Sequence, residues 1–445
     1  MLMDDLSLLG DLVAQARKAG ADQADALLAE GASLSHAQRL GKTEKLERSE
    51  NFDVGLRVIV GKRQAIVSAN DRDPGGLAEL VTRAIAMAKA VPEDPYIGLA
   101  DPDELARTWP DLDLFDAAEP APETLIERAK TAEEAARAVA GVTNSEGAEA
   151  GWSHARVALV ASNGFAGAYA ASGHSISVSV LAGDGTAMER DYDYSSAVHA
   201  ADLTAAAEIG RTAGTRAVER LNARKVATGK YPVVFDRRVA GGMLRHLVGA
   251  ISGPSVTRGT SFLKDKLGQQ IFSRGISIVD DPHLPRGLRS KPFDGEGVAN
   301  RRRAIIADGV LETWLLDLGS ARQLGLRTTG HASRGISSPP GPSPSNMWLE
   351  RGAVTREELI GDVQEGLLVT EMMGMGVNGV TGDYSRGASG FWIENGKIAY
   401  PVHEITIAGN LKDMFLALTP ASDLQFKTGI DAPSVRIDGM MVAGR

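Results

Sequence analysis

Residues 241–263, GGMLRHLVGAISGPSVTRGTSFL, join an amphipathic helical pattern to one histidine and run into a Gly/Pro loop ending in Arg258-Gly259-Thr260-Ser261. A helix can carry a hydrolytic zinc when two histidines stand about one turn apart, with a glutamate beside them as base. Here the matching places hold Arg245, His246 and Ala250. His246 finds only Ala250 and Ile251 at the i+4 and i+5 offsets. A lone helical histidine of this kind is expected to pack or cap rather than bind metal.

Other clusters carry weaker signals. Asp280-Asp281-Pro282-His283 and Asp294-Gly295-Glu296 gather acids in loops, where carboxylates hold hard cations, act as bases or accept from turn amides. The turn role is the expectation. His403 and Glu404 lie in a strand-like run, YPVHEITIAG, whose neighbouring side chains point to opposite faces and do not converge on one metal. Gly374 to Gly379 matches G-x-G-x-x-G, yet the following VTGDYSRGASG cannot continue as the helix a dinucleotide site needs. A turn-rich loop is expected there. G-x-S-x-G is absent, and Ser389 sits in a glycine-rich loop without an obvious base nearby. Arg301-Arg302-Arg303 reads as a solvated strand end.

The elements that must position these groups follow from periodicity. The chain has 445 residues, 43% hydrophobic and 24% charged, enough for more than one core. Helical spacing marks Leu6–Lys18, Leu77–Val91, 122–139, 203–221 and 237–251. Strand patterns mark 24–30, 33–40, 52–60 and 65–70, and recur over 155–195 with Gly164, Gly173 and Gly183 as turns. The proline-rich acidic stretch 92–122 reads as an excursion over the surface. Tight hairpins are expected at Asp308-Gly309 and Asn395-Gly396, and mobility in the Pro/Ser loop 337–345. The fold class is α+β: a mixed N-terminal domain over 1–222, a linker over 223–230, and a β-rich C-terminal domain over 231–445.

The chain lacks cysteine, which rules out disulfides, thiolate metal sites and a cysteine nucleophile. Its net charge of −9 speaks against direct nucleic-acid binding. No apolar run reaches the length of a membrane span, and the acidic N-terminus lacks a secretory pattern, so a cytoplasmic protein is expected.

The runs VGAISG…RGTSF, DDPHLPRGLRSKPFDGEG, TGDYSRGASGFWIENGKI and PVHEITIAGNL, in this order, resemble the TldD/PmbA family, also described as modulators of DNA gyrase, and most closely its PmbA (TldE) branch. The resemblance covers the C-terminal half and the opening helix, Gly20-Ala21-Asp22 and strand. It implies a two-subunit metalloprotease acting on unfolded peptides. The TldD-type subunit carries H-E-x-x-x-H and a further cysteine around zinc. Aligned on Val248-Gly249, those motif positions fall on Arg245, His246 and Ala250, so the catalytic residues do not carry over. Zinc is then expected in a TldD-type partner and none in this chain. A heterodimer is implied, with a homodimer open when the partner is absent. Arg258, Gly259, Thr260, Ser261, Thr381, Tyr384 and Ser385 match family motifs, and the resemblance implies that they shape the peptide chamber. Two rivals stay open: a self-contained metallohydrolase using His246 with Asp280, Asp281, His283 or His403, and a binding protein modulating a DNA-related enzyme.

Overall fold

The computed structural model describes residues 2–444. Helix α1 (Leu2–Lys18) leads through Gly20, in the left-handed region at φ 106°, into three antiparallel strands: β1 (Gln23–Arg39), β2 (Lys42–Val60) and β3 (Arg63–Ala69). Helix α2 (Pro74–Ala90) follows, its cap Asp73 accepting from the Gly76 amide. After the extended segment 91–121 come α3 (Pro122–Arg137), β4 (Val142–Ala161), β5 (Ala166–Ala182), β6 (Glu189–Ala197) and α4 (Ala206–Glu219). The strands form one six-stranded sheet, β3-β2-β1-β4-β5-β6.

Alternation along β1 assigns the two faces of this sheet. Ala26, Leu28, Ala32 and Leu34 pack on the helix side. Leu27 points the other way, into a cluster with Leu99, Leu105, Leu159, Phe293 and Val298. The segment 92–121 is therefore a strap, not a surface excursion: Leu99, Leu105, Leu112 and Leu114 are all buried.

The expected strands 24–30 and 33–40 are one strand, β1, which ends at Arg39. Gly31, in the gap between them, marks a close backbone approach: a Cβ there would lie 2.3 Å from the His154 carbonyl. Gly173 is mid-strand, paired with Ser153, not a turn.

The second half contains β7 (Gly229–Phe235), α5 (Arg237–Ile251), α6 (Gly253–Thr257), β8 (Ile278–Asp281), β9 (Arg303–Ala307), β10 (Val310–Leu311), α7 (Leu318–Gln323), β11 (Ala332–Ser333), β12 (Gly341–Pro342) and β13 (Asn346–Leu349). It continues through α8 (Arg356–Gly361), β14 (Glu365–Met373), β15 (Asp383–Glu394), β16 (Lys397–Asn410), α9 (Leu411–Leu416), β17 (Leu418–Pro420), β18 (Ile430–Asp431) and β19 (Val435–Ala443). One sheet runs β16-β15-β14-β7-β19-β17 and closes on itself through a β16–β19 pairing. A second runs β10-β9-β8-β13-β18. The hairpin turns have the positive φ that their sequences call for, at Asp308-Gly309 and Asn395-Gly396. Helix α5 packs in the core between these sheets, with Met243, Leu244, Leu247 and Ile251 against Phe235, Val369, Ile305 and Met347.

The two halves are fastened at a charged seam. The Arg220 guanidinium, just after α4, reaches Glu189 and Asp191 on β6 and Glu371 on β14. The connecting segment is also tied down. The Arg224 amide donates to Pro401 across 2.9 Å, and the Arg224 guanidinium lies over the Tyr400 ring. Val226 is buried in the C-terminal core. At the far end of the Pro/Ser loop, Ser345 is buried and its amide donates to Asp280.

Candidate functional site

Helix α5 begins at Asp236, whose carboxylate accepts from the Arg238 amide, and ends before Gly253-Pro254. Its apolar stripe includes Ala250, only 4% exposed, while Arg245 stands on the outer face. Five helical residues turn the axis by about 140°. Arg245 and Ala250 therefore do not share a side.

His246 is half-buried between them. Its ring meets Tyr384 edge-on, with centroids 5.7 Å apart, and its Nε2 is buried without a hydrogen-bond partner. Burial and then the nearby Arg386 charge push its pKa down to about 4. The imidazole is neutral at physiological pH. These residues do not fit a zinc ion: Arg245 and Ala250 bring no donor, and cysteine is absent. Among the described residues, no group of three or more His, Cys, Asp or Glu side chains is placed to hold a metal.

The other motif residues gather around α5. Ser261 is buried, its hydroxyl donating to the Ala250 carbonyl and accepting from the Leu263 amide. Gly259 takes φ 67°, which turns the chain out of α6. The Phe262 amide donates to Gly379 across 2.9 Å, joining this loop to the one before β15. In that loop the Thr381 hydroxyl donates to Asp383 across 2.6 Å, and Asn410 donates to the Thr381 carbonyl. Arg258, Thr260, Thr381 and Ser385 are exposed, whereas Ser261 and Tyr384 are interior. Gly374–Gly379 is the irregular loop between β14 and β15, as its sequence suggests.

The remaining candidates are dispersed. Asp280 takes the Ser345 amide and hydroxyl and faces His331. Asp281 accepts from the His283 amide, and His283 pairs with Asn300. Asp294 accepts three backbone amides, from Glu296, Val298 and Ala332. Asp281 and Asp294 thus serve turns as expected, whereas Asp280 lies in strand β8 rather than a loop and joins distant segments. Burial pushes Glu296 up to about 8, with Arg57 opposing the shift and Asp294 adding to it. His403 meets Glu189, while Glu404 pairs with Lys225. Ser389 lies in strand β15, not in a loop, with its hydroxyl donating to Glu371 and accepting from Arg220. Its neighbours come from elements far away in the chain, so no local spacing could reveal them. Of the arginine triplet, Arg301 and Arg302 are exposed where β9 begins.

Similarity to known proteins now bears on this arrangement. Residues 228–444 match the model of the PmbA/TldA metallopeptidase C-terminal domain, 115–221 the central domain and 24–88 domain 1. Metalloprotease PmbA of Escherichia coli O157:H7 is 41% identical over 95% of this chain and 93% of its own length. This chain belongs to the PmbA/TldD family. A Haemophilus influenzae PmbA homolog is 39% identical over 96% of the chain and 94% of its own. A solved structure from Bacteroides thetaiotaomicron, described as a proposed modulator of DNA gyrase, is 30% identical and superposes with a TM-score of 0.91 over 99% of this chain and 98% of that one. TldE from Thermococcus kodakarensis shares the fold, with a TM-score of 0.88 at 21% identity over 98% of this chain and 100% of that one. In this PmbA/TldD member the first two family domains contribute strands to one continuous sheet. No helix among the described residues is long and apolar enough to cross a membrane.

Proposed function

We propose that this chain is the PmbA/TldE-type, non-catalytic subunit of a cytoplasmic zinc metalloprotease that cleaves unfolded peptides, with a TldD-type subunit supplying the metal. The observation that carries this reading is α5. The helix keeps its cap, its core stripe and the loops that brace it, yet Arg245, His246 and Ala250 cannot act as ligands and base together. A scaffold retained without its chemistry fits a part whose work is positioning and enclosure. The metalloprotease name of the Escherichia coli relative supports the peptide substrate. The gyrase-modulation description of the Bacteroides structure fits the same role, exerted through proteolysis of a regulator.

The test is to purify this chain with a TldD-type subunit and to measure zinc content and cleavage of an unfolded peptide for each alone and for the pair. Zinc should follow the partner, and full cleavage should need both chains. Stoichiometric zinc with peptidase activity in this chain alone overturns the reading and revives a self-contained hydrolase.

A further inference from the structure

Three adjoining cavities run along the seam between the halves. A 660 Å³ cavity shares Arg216, Arg237 and Arg238 with a 160 Å³ one, which in turn shares Lys427 and Asp431 with a 340 Å³ one. The ends mix apolar and charged lining: Phe391, Ile398 and Tyr400 stand at one, beside the exposed carboxylates Glu219 and Glu357, and Leu284, Leu288 and Phe426 at the other. Ile398, Leu288 and Phe426 are exposed.

The centre is basic. Arg216, Arg237, Arg238, Arg245 and Lys427 line the small cavity against one carboxylate, Asp431, which is turned onto its own Thr428 and Gly429 amides. Asp191 pairs with Arg238, and Asp193 is shared by Arg216 and Lys427. Arg237 and Arg245 stand in no ion pair or hydrogen bond among the described residues, so positive charge is left uncompensated in a chain of net −9. The floor includes Gly242, where a Cβ would meet nothing within 4 Å. Glycine inside a helix is unfavourable, and packing does not demand it here. Its bare backbone keeps the floor open.

We infer that this trough holds an extended acidic peptide, its central carboxylate taken by Arg237 and Arg245 and its flanking apolar side chains resting on the two ends. The inference rests on the proposed peptide-handling role and names the substrate chemistry. A nucleic acid suits the trough less well, since its repeating phosphates need cations along the whole path. Toward the ends, Arg220, Arg356 and Arg286 are each already paired with carboxylates.

The experiment is fluorescence anisotropy of the full chain with labelled unstructured peptides of equal length, one Glu-rich and one Lys-rich, each carrying flanking leucines. The Glu-rich peptide should bind more tightly, and raised salt should weaken it. The double variant R237Q/R245Q should lose about tenfold or more in affinity, the scale of a lost charge-assisted carboxylate contact. Gly242→Leu, a good helix former that fills the floor, should also weaken binding, whereas Asp193→Asn, which frees Arg216 and Lys427, should strengthen it. Equal binding of the two peptides, unchanged affinity in R237Q/R245Q, or equal competition by a single-stranded oligonucleotide overturns the inference. Binding without cleavage in the reconstituted pair leaves the trough standing and removes the subunit role. Cleavage indifferent to these substitutions does the reverse.

Discussion

The Ser261 hydroxyl donates to the carbonyl of Ala250 across 2.6 Å. Ala250 lies in the last turn of α5, where helix carbonyls lack intrahelical partners, so the loop residue closes the helix from outside. The motif loop and the substituted helix are one structural unit.

Ser261→Ala leaves that carbonyl and the Leu263 amide without their buried partner. The expected cost is about 1–3 kcal/mol of stability, read as a lower urea midpoint. A midpoint equal to the parent's would show that water replaces the hydroxyl.

Restoring the ligand pattern with R245H/H246E/A250H should not restore zinc. Ala250 is packed in the core, so the larger side chain is expected to cost about 1–3 kcal/mol through overpacking. The third ligand would still be missing, because the chain has no cysteine to complete the site. Metal analysis after dialysis checks this, and one tightly held zinc per chain would refute it.

His246 makes stability fall in mild acid. Its folded pKa lies at about 4, below the ordinary 6.5, so between those values only the unfolded state takes up the proton. The stabilisation is whole above pH 6.5 and drains away as the pH drops toward 4. The slope is at most about 1.4 kcal/mol per pH unit, less here because the ring is only half-buried. His246→Phe keeps the edge-on contact with Tyr384 and should flatten this part of the profile. Parallel pH dependences of parent and variant urea midpoints would contradict the assignment.

Arg220→Met should be more damaging than any single exposed-arginine substitution. It strips the seam of the cation facing Glu189, Asp191 and Glu371, and leaves Ser389 without its donor. Breaking a buried pair by removing one partner costs about 3–5 kcal/mol. Glu371→Gln added to this variant should recover part of the loss, since it lifts one of the stranded charges. Non-recovery in the double variant would mean that the packing of the Arg220 stem, not its charge, matters.

Local chemistry was legible and distant assembly was not. Helix α5 could be bounded from sequence because Asp236 caps it and Gly253-Pro254 closes it. Both hairpins followed from Asp-Gly and Asn-Gly pairs whose φ angles are positive. Gly173 misled because a glycine in mid-strand looks the same in sequence as one that makes a turn. The strap over 92–121 was hidden because its leucines have no period, and only the sheet face beneath them gives them a purpose. The basic centre of the trough draws on α4, α5 and the 425–431 segment, so its charges meet only in three dimensions.

The tied-down connector between the halves has a calorimetric consequence. With Arg224 held to Pro401 and Tyr400, Val226 in the neighbouring core and Arg220 bridging three carboxylates, neither half can melt without exposing the other's surface. Heating should give a single cooperative endotherm. A protease should find no early nick between residues 222 and 228, although that stretch contains no helix.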